Sequence, residues 1–159
     1  MANTEIERKF LVTGVGWKEH ADARRYRQAY LSTDKQRVVR VRVVDGDAWL
    51  TIKGQTSGIS RLEFEYPIPV SDAEVMLQSL CHQPVIDKTR YRVRHADHTW
   101  EIDEFHGANE GLVVAEIELD SEEERFERPE WLEEEVSGDP RYFNSNLIAH
   151  PFREWGDHE

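Results

Sequence analysis

Ionisable side chains recur at every second position in segment after segment of this chain, beginning with Glu5-Ile6-Glu7-Arg8-Lys9. Because successive side chains of a strand point to opposite faces, Glu5, Glu7 and Lys9 share one face if the segment is extended. Arg40 and Arg42 alternate with valines, and Thr51 and Lys53 flank Ile52. Arg61, Glu63 and Glu65 alternate with Leu62 and Phe64, and Lys88, Arg90, Arg92 and Arg94 with Thr89, Tyr91 and Val93. Glu101 and Asp103 flank Ile102, and Glu116 and Glu118 flank Ile117. A sheet with one wet face accounts for any single segment. It accounts less well for the set, whose signs are sorted by strand: acids open and close the chain, and bases fill the middle. A closed barrel with its polar faces inward brings carboxylates and cations around one cavity.

At 159 residues the chain is expected to form one domain, residues 1–159, with no linker, repeat or low-complexity segment to support a second. Hydrophobic residues make up 38% and charged residues 33%, a thin apolar inventory that suits a sheet spending one face on a polar interior. No stretch approaches a membrane span, and charges stand where a signal peptide needs an apolar run. A cytoplasmic protein without membrane partners is the expectation. Cys81 is the single cysteine, which excludes an internal disulfide and a Cys-based metal site, and the seven histidines are dispersed. A formal charge of −12 argues against nonspecific binding to nucleic acid. It leaves room for a small polyanion in a cleft where cations concentrate.

Strands are expected at about Thr4–Val12, Arg24–Leu31, Gln36–Val44, Ala48–Gly54, Ser60–Pro69, Val85–Arg94, Thr99–His106 and Leu112–Leu119, with Asp45-Gly46 as a hairpin turn. Short links between eight strands favour an up-and-down antiparallel barrel with a few flanking helices, a mainly β (α+β) fold. Ser71-Asp72-Ala73-Glu74 reads as a capping box opening a helix whose Val75, Leu77 and Leu80 supply apolar contacts. Ser121-Glu122-Glu123-Glu124 reads as a second box, Pro129-Glu130-Trp131-Leu132 as another helix start, and Asp139-Pro140 as the lead into a last helix with Tyr142, Asn144 and Leu147.

Carboxylates gathered in one cavity repel each other unless protonated or bridged by cations. Glu5, Glu7, Asp103, Glu116 and Glu118 form an oxygen-only set, which selects hard divalent ions, Mg²⁺ or Mn²⁺. With metal neutralising the acids, Lys9, Arg40, Arg42, Lys53, Arg61, Lys88, Arg90 and, farther along its strand, Arg92 are a cationic surplus that calls for an anion. Arg forks match phosphate oxygens, and Lys serves as a point charge. Metal plus a cationic ring is the equipment of phosphoryl transfer. A lumen of mutually satisfied salt bridges with no ligand is the competing reading. Buried ion pairs gain little stability for their desolvation, which makes them a poor reason to fill a barrel with charge.

Glu5-Ile6-Glu7-Arg8-Lys9-Phe10-Leu11-Val12 resembles the Glu-x-Glu-x-Lys signature of the CYTH superfamily, the triphosphate tunnel metalloenzymes. Arg40-Val41-Arg42, Thr51-Ile52-Lys53, Arg61-Leu62-Glu63-Phe64-Glu65, Lys88-Thr89-Arg90-Tyr91, Trp100-Glu101-Ile102-Asp103-Glu104-Phe105 and Ala115-Glu116-Ile117-Glu118-Leu119 follow its later motifs in order. The resemblance implies a tunnel that holds a triphosphate on a basic wall and metal on an acidic one. Glu5, Glu7, Glu116 and Glu118, with Asp103, become metal ligands; Lys9, Arg40, Arg42, Lys53, Lys88 and Arg90 become phosphate contacts. Glu63 and Glu65 help order water or a second metal, and Lys88 is implied to protonate the leaving phosphate. Arg61 either pairs with those glutamates or touches substrate. Tyr30 and the segment around Tyr142 and Asn144 resemble elements that line and plug the tunnel.

Metal-dependent hydrolysis of tripolyphosphate is the first expectation, because the opening segment is similar to that of bacterial tripolyphosphatases. Hydrolysis of a nucleoside or thiamine triphosphate, or class IV-type adenylate cyclisation, is the second, and a non-catalytic polyphosphate or nucleotide binder the third. A homodimer is an assembly such a chain could form.

Overall fold

The computed structural model describes residues 3–155. Its strands are β1 (Thr4–Val12), β2 (Asp22–Asp34), β3 (Arg37–Val44), β4 (Asp47–Lys53), β5 (Ser60–Ile68), β6 (Ile86–His95), β7 (His98–Phe105), β8 (Val113–Glu118) and β9 (Leu132–Glu135). The first eight match the expected segments and close an antiparallel barrel. The order around it is β5-β4-β3-β2-β6-β7-β8-β1, with β1 pairing back to β5. The barrel is therefore not purely up-and-down. Two meanders, β2 to β5 and β6 to β8, lie side by side, and β1 fills the gap between their far edges.

That insertion explains the strand the sequence pattern did not reveal. β5 covers only Thr4, Glu5 and Ile6 of one β1 edge, so the backbone groups beyond them need other partners. β9 supplies them through Phe10↔Glu135 and Val12↔Leu132, while Val136 N–H donates to the Lys9 carbonyl at 2.8 Å. The Pro129 helix start is thus corrected to a turn leading into β9. Residues 121–124 also form a turn instead of a helix, and the Glu124 carboxylate accepts from Asp120 N–H at 2.5 Å.

Helix α1 (Val70–Ser79) begins one residue before the expected box, because extended Pro69 caps it without a side-chain bond. Glu74 instead pairs with Arg27 on the outer wall of β2, and of the three expected apolar contacts only Leu77 is buried, Val75 and Leu80 being exposed. Near the C-terminus a 3-10 turn (Pro140–Tyr142) precedes α2 (Asn144–Ala149).

Much of the outward face is apolar and covered. Phe10, Trp100, Ile102 and Ile117 pack under Trp17, Phe126 and Trp131, while Val41, Val43 and Ala48 pack under α1. At one end of the barrel inward positions also turn apolar: Tyr30, Val38, Phe105 and Val114 meet Leu147, Ile148 and Trp155, so the C-terminal segment fills that end. No helix among the described residues is long and apolar enough to cross a membrane.

Candidate active site

Inward side chains surround a cavity of about 440 Å³. Glu5, Glu7, Lys9, Tyr30, Arg40, Arg42, Lys53, Arg61, Glu63, Glu65, Lys88, Arg90, Glu116 and Glu118 all line it. Asp103 does not reach the cavity wall. It is 1% exposed and sits behind Lys88 and Arg90, accepting from Lys88 Nζ at 2.7 Å and from Arg90 Nε and NH2 at 2.7 and 2.9 Å.

The expected ligand set therefore divides in two. Carboxylate oxygens of Glu5, Glu7 and Glu118 come within 4.8 Å of one another, a grouping able to hold a metal ion. Register makes the cluster: Glu7 lies opposite Glu118 across the β1–β8 ladder, and Glu5 is two residues along β1 on the same face. Glu116 and Asp103 are each engaged with two cations, whereas Glu5 and Glu7 each pair with one ammonium, Lys53 at 3.1 Å and Lys9 at 3.2 Å, and Glu118 with none among the described residues. Glu116 bonds Lys9 and also accepts from Arg90 NH2 at 3.1 Å.

Protonation follows that division. Partial desolvation pushes the Glu118 carboxyl, which keeps more than a third of its surface exposed, up to about 7, reinforced by Glu5, Glu101, Glu7 and Glu63. Burial, with Glu116 beside it, also raises Glu7, against the opposing pull of Lys9. Burial works in the same sense at Glu116, but Lys9 and Arg90 outweigh it and hold that carboxyl well below its ordinary range. The triad thus has fewer cations than carboxylates, with Glu118 unpaired, where Glu116 and Asp103 have two cations apiece, and its oxygen-only donors suit a hard divalent ion.

The basic wall stands on β2, β3 and β6. Lys88 is 1% exposed; burial lowers its pKa to about 7, with Arg90 and Arg42 adding to the effect and Asp103 opposing it. Lys53 is tied to Glu5 at 3.1 Å and Glu63 at 3.4 Å, and Arg40 to Glu65 at 3.4 Å, although Arg40 Nε is buried without a partner. Glu65 also accepts from Thr51 at 3.0 Å. Of the alternatives for Arg61, pairing with Glu63 or Glu65 is not seen; its Nε donates to the Gly54 carbonyl at 3.0 Å.

Arg42 has no carboxylate partner among the described residues. Its Nε donates to Gln28 Oε1 at 2.8 Å, and its guanidinium lies 4.9 Å from the Tyr26 ring centroid. Burial and the neighbouring Arg40 and Arg90 lower its pKa to about 10. A half-buried cation with no carboxylate partner, beside the orphaned Nε of buried Arg40, is a seat for an anion. The expected Arg92 contact is weaker, since that side chain is 58% exposed and spends NH2 on Glu101 at 3.2 Å.

Sequence reasoning passed over Tyr26, Gln28 and Glu101 as lining residues. Tyr26 and Gln28 were accessible to it, since both share the parity of Tyr30 on β2.

The lumen and its outer wall should respond unequally to truncation. Val41→Ala removes fully buried outward packing and is expected to cost about 2 kcal/mol, on the scale of ~0.8 kcal/mol per buried CH₂ plus a cavity contribution. Arg42→Ala, one residue on, removes a half-buried cation with no carboxylate partner and should lose much less stability. Denaturant melts of both variants read the contrast; equal losses would contradict the inward and outward assignment.

Metal-free protein should also lose stability as pH rises from about 4.5 to about 7. The raised Glu118 group takes up a proton on folding, so the folded state is favoured below that window and the advantage disappears as pH climbs through it. Thermal melts after chelation at pH 5, 6 and 7 test this, since above pH 7 the lowered Lys88 works in the opposite sense. A Tm that rises across that range would oppose it, and Mg²⁺ at pH 7 should restore the loss.

A family model described as CYTH domain matches residues 3–150. An inorganic triphosphatase of Acetivibrio thermocellus is 52% identical over 149 residues, covering 94% of this chain and 96% of that protein. An inorganic triphosphatase of Nitrosomonas europaea is 38% identical over 149 residues, covering 91% of this chain and 96% of its own length. A solved structure described as an inorganic triphosphatase superposes with a TM-score of 0.66 at 32% identity, covering 90% of this chain and 96% of that one.

Proposed function

The chain belongs to the CYTH domain family, and from that premise we propose that it is a metal-dependent triphosphatase that cleaves inorganic tripolyphosphate to pyrophosphate and phosphate. The observation that carries this reading is the sorting of charge across one cavity: a carboxylate triad on β1 and β8, and an under-neutralised cationic wall centred on Arg42. A lumen of mutually satisfied salt bridges has no use for either feature. The names of the two relatives, covering nearly all of their own lengths, support inorganic triphosphate over an organic one.

In this reading Glu5, Glu7 and Glu118 hold Mg²⁺ or Mn²⁺. When bound, the ion supplies neutralisation of phosphoryl oxygens and a lowered pKa for the attacking water. Arg40, Arg42 and Arg90 hold the phosphate chain, with Lys9 and Lys53 between the two walls, each already paired with a carboxylate of the acidic side. Glu63 and Glu65 orient water from β5. Water oxygen attacks the terminal phosphorus, a water proton passes to an oxygen of the phosphate product, the bond to the bridging oxygen breaks, and pyrophosphate departs with the bond's electron pair. Lys88 stabilises that charge and can transfer a proton to it. Asp103 and Glu116 keep Lys88, Arg90 and Lys9 in place.

The test is a substrate panel: tripolyphosphate, pyrophosphate, ATP and thiamine triphosphate with Mg²⁺ or Mn²⁺, read as phosphate release and cyclic nucleotide. Tripolyphosphate is expected to give the highest kcat/KM. Preference for ATP, or cyclic AMP as product, would replace the reading.

A further inference from the structure

We propose that Gln28 and Asn144 form an amide bridge that orients Arg42 toward the anion without cancelling its charge and adds a neutral contact to Lys88, which Asp103 already pairs, a positioning role that rests on the triphosphatase reading. Gln28 is fully buried on β2, directly across the ladder from Arg42 on β3. Its Oε1 accepts from Arg42 Nε at 2.8 Å, and its Nε2 donates to Asn144 Oδ1 at 3.1 Å and to Tyr30 Oη at 3.2 Å. Asn144 Oδ1 accepts a second bond, from Lys88 Nζ at 3.0 Å. A continuous path runs from Arg42 through two amides to Lys88. It joins the basic wall to the C-terminal segment that fills one end of the barrel.

The choice of amides is what matters. Arg90 is held by Asp103, Glu101 and Glu116, and Lys53 by Glu5 and Glu63, so those cations are oriented and largely neutralised together. An amide oxygen accepts the same hydrogen bond in the same place but carries no net charge. Arg42 is therefore oriented and left electrostatically hungry, at the cost of desolvating a cation. A structural role alone would be served as well or better by a carboxylate at position 28, which could form a buried ion pair with Arg42.

Gln28→Glu and Asn144→Asp separate these alternatives. Each nearly isosteric change retains the hydrogen-bond acceptor while adding a negative charge beside Arg42 or Lys88; Gln28→Glu also removes the Nε2 donor to Asn144 and Tyr30, whereas Asn144→Asp keeps the oxygen that both bridge bonds use and is the cleaner comparison. Steady-state kinetics on tripolyphosphate with saturating Mg²⁺, calorimetric titration of tripolyphosphate and thermal melts are the measurements. Gln28→Glu should raise KM by about 10- to 100-fold, the scale of one lost charged hydrogen bond. Its kcat should change far less, and its Tm should fall only modestly, the new ion pair with Arg42 offsetting the lost bonds to Asn144 and Tyr30. Asn144→Asp should weaken tripolyphosphate binding in the same sense. It sits in the first turn of α2, where Asp is well tolerated, and decides the matter if Gln28→Glu does not fold.

Folded variants with unchanged KM and affinity would overturn the bridge while leaving the triphosphatase reading intact. So would losses of affinity that track losses of Tm, which mark mere packing. An unsubstituted chain that binds tripolyphosphate without hydrolysing it would sink the triphosphatase reading, and the calorimetric arm would still judge the bridge. Neither binding nor hydrolysis by the unsubstituted chain would remove both.

Discussion

Lys88→Ala should lower kcat for tripolyphosphate by about 10²–10³-fold, the scale of one preorganised electrostatic donor, while raising KM much less. The leaving pyrophosphate gains charge as the bridging bond breaks, so an ammonium fixed near it acts more strongly on the transition state than on bound substrate. Lys88 is fixed in that way: Asp103 Oδ2 lies 2.7 Å and Asn144 Oδ1 3.0 Å from its Nζ, and the side chain is almost wholly buried. Little reorganisation is needed during the reaction. Lys88→Arg keeps the charge but changes its shape and reach, and should recover only part of kcat. Arg92→Ala, which removes a mostly exposed guanidinium engaged with Glu101, should be mild by comparison. Steady-state kinetics of the three variants at saturating Mg²⁺, with melts to check folding, make the comparison. A folded Lys88→Ala protein with near-normal kcat would remove Lys88 from the chemical step.

The second large effect is expected at the opposite wall. Glu7→Gln combined with Glu118→Gln should raise the Mg²⁺ concentration for half-maximal rate by about 10²-fold or more. Loss of groups that merely orient metal ligands already costs 10–100-fold in affinity, and these two are proposed to be ligands themselves. The same pair should stabilise the metal-free fold, because each carboxyl is raised by burial and by neighbouring acids, and an amide relieves that repulsion. Metal titrations of rate and melts in chelator read both effects together. Unchanged metal dependence in the double variant would move the ligand assignment elsewhere. Glu116→Gln should differ in kind: it breaks contacts to Lys9 and Arg90 and should lower stability.

Parity was the part of this architecture most legible in the sequence. Glu5, Glu7 and Lys9 fall inward and Phe10 outward because a strand's side-chain period leaves no other arrangement once one face is apolar. Parity says which wall a residue faces but not how deep it lies or which partner it meets. Asp103 shares a face with Glu101 and the same acidic chemistry as Glu118, yet it lies opposite Arg90 in the β6–β7 ladder and is taken up by cations. Glu118 lies opposite Glu7 and is not. The Arg90–Asp103 pairing belongs to one hairpin, but the Glu7–Glu118 pairing is a register between distant segments, which local pattern does not encode. The acidic stretch at 121–135 misled for a related reason: Ser and Glu at capping spacing favour a helix locally, but the uncovered edge of β1 offered Leu132–Glu135 a ladder. Gln28 was overlooked because it is neutral in a face otherwise marked by charge, although a neutral group there is what leaves Arg42 free for an anion.

The claim at the centre of this account is that one cavity joins a metal held on its acidic wall to a triphosphate held on its basic wall. The most direct measurement is phosphate release from tripolyphosphate by exhaustively chelated protein, before and after adding back Mg²⁺ or Mn²⁺. The account predicts no turnover without metal and recovery on its return, whereas undiminished hydrolysis after complete chelation would contradict it.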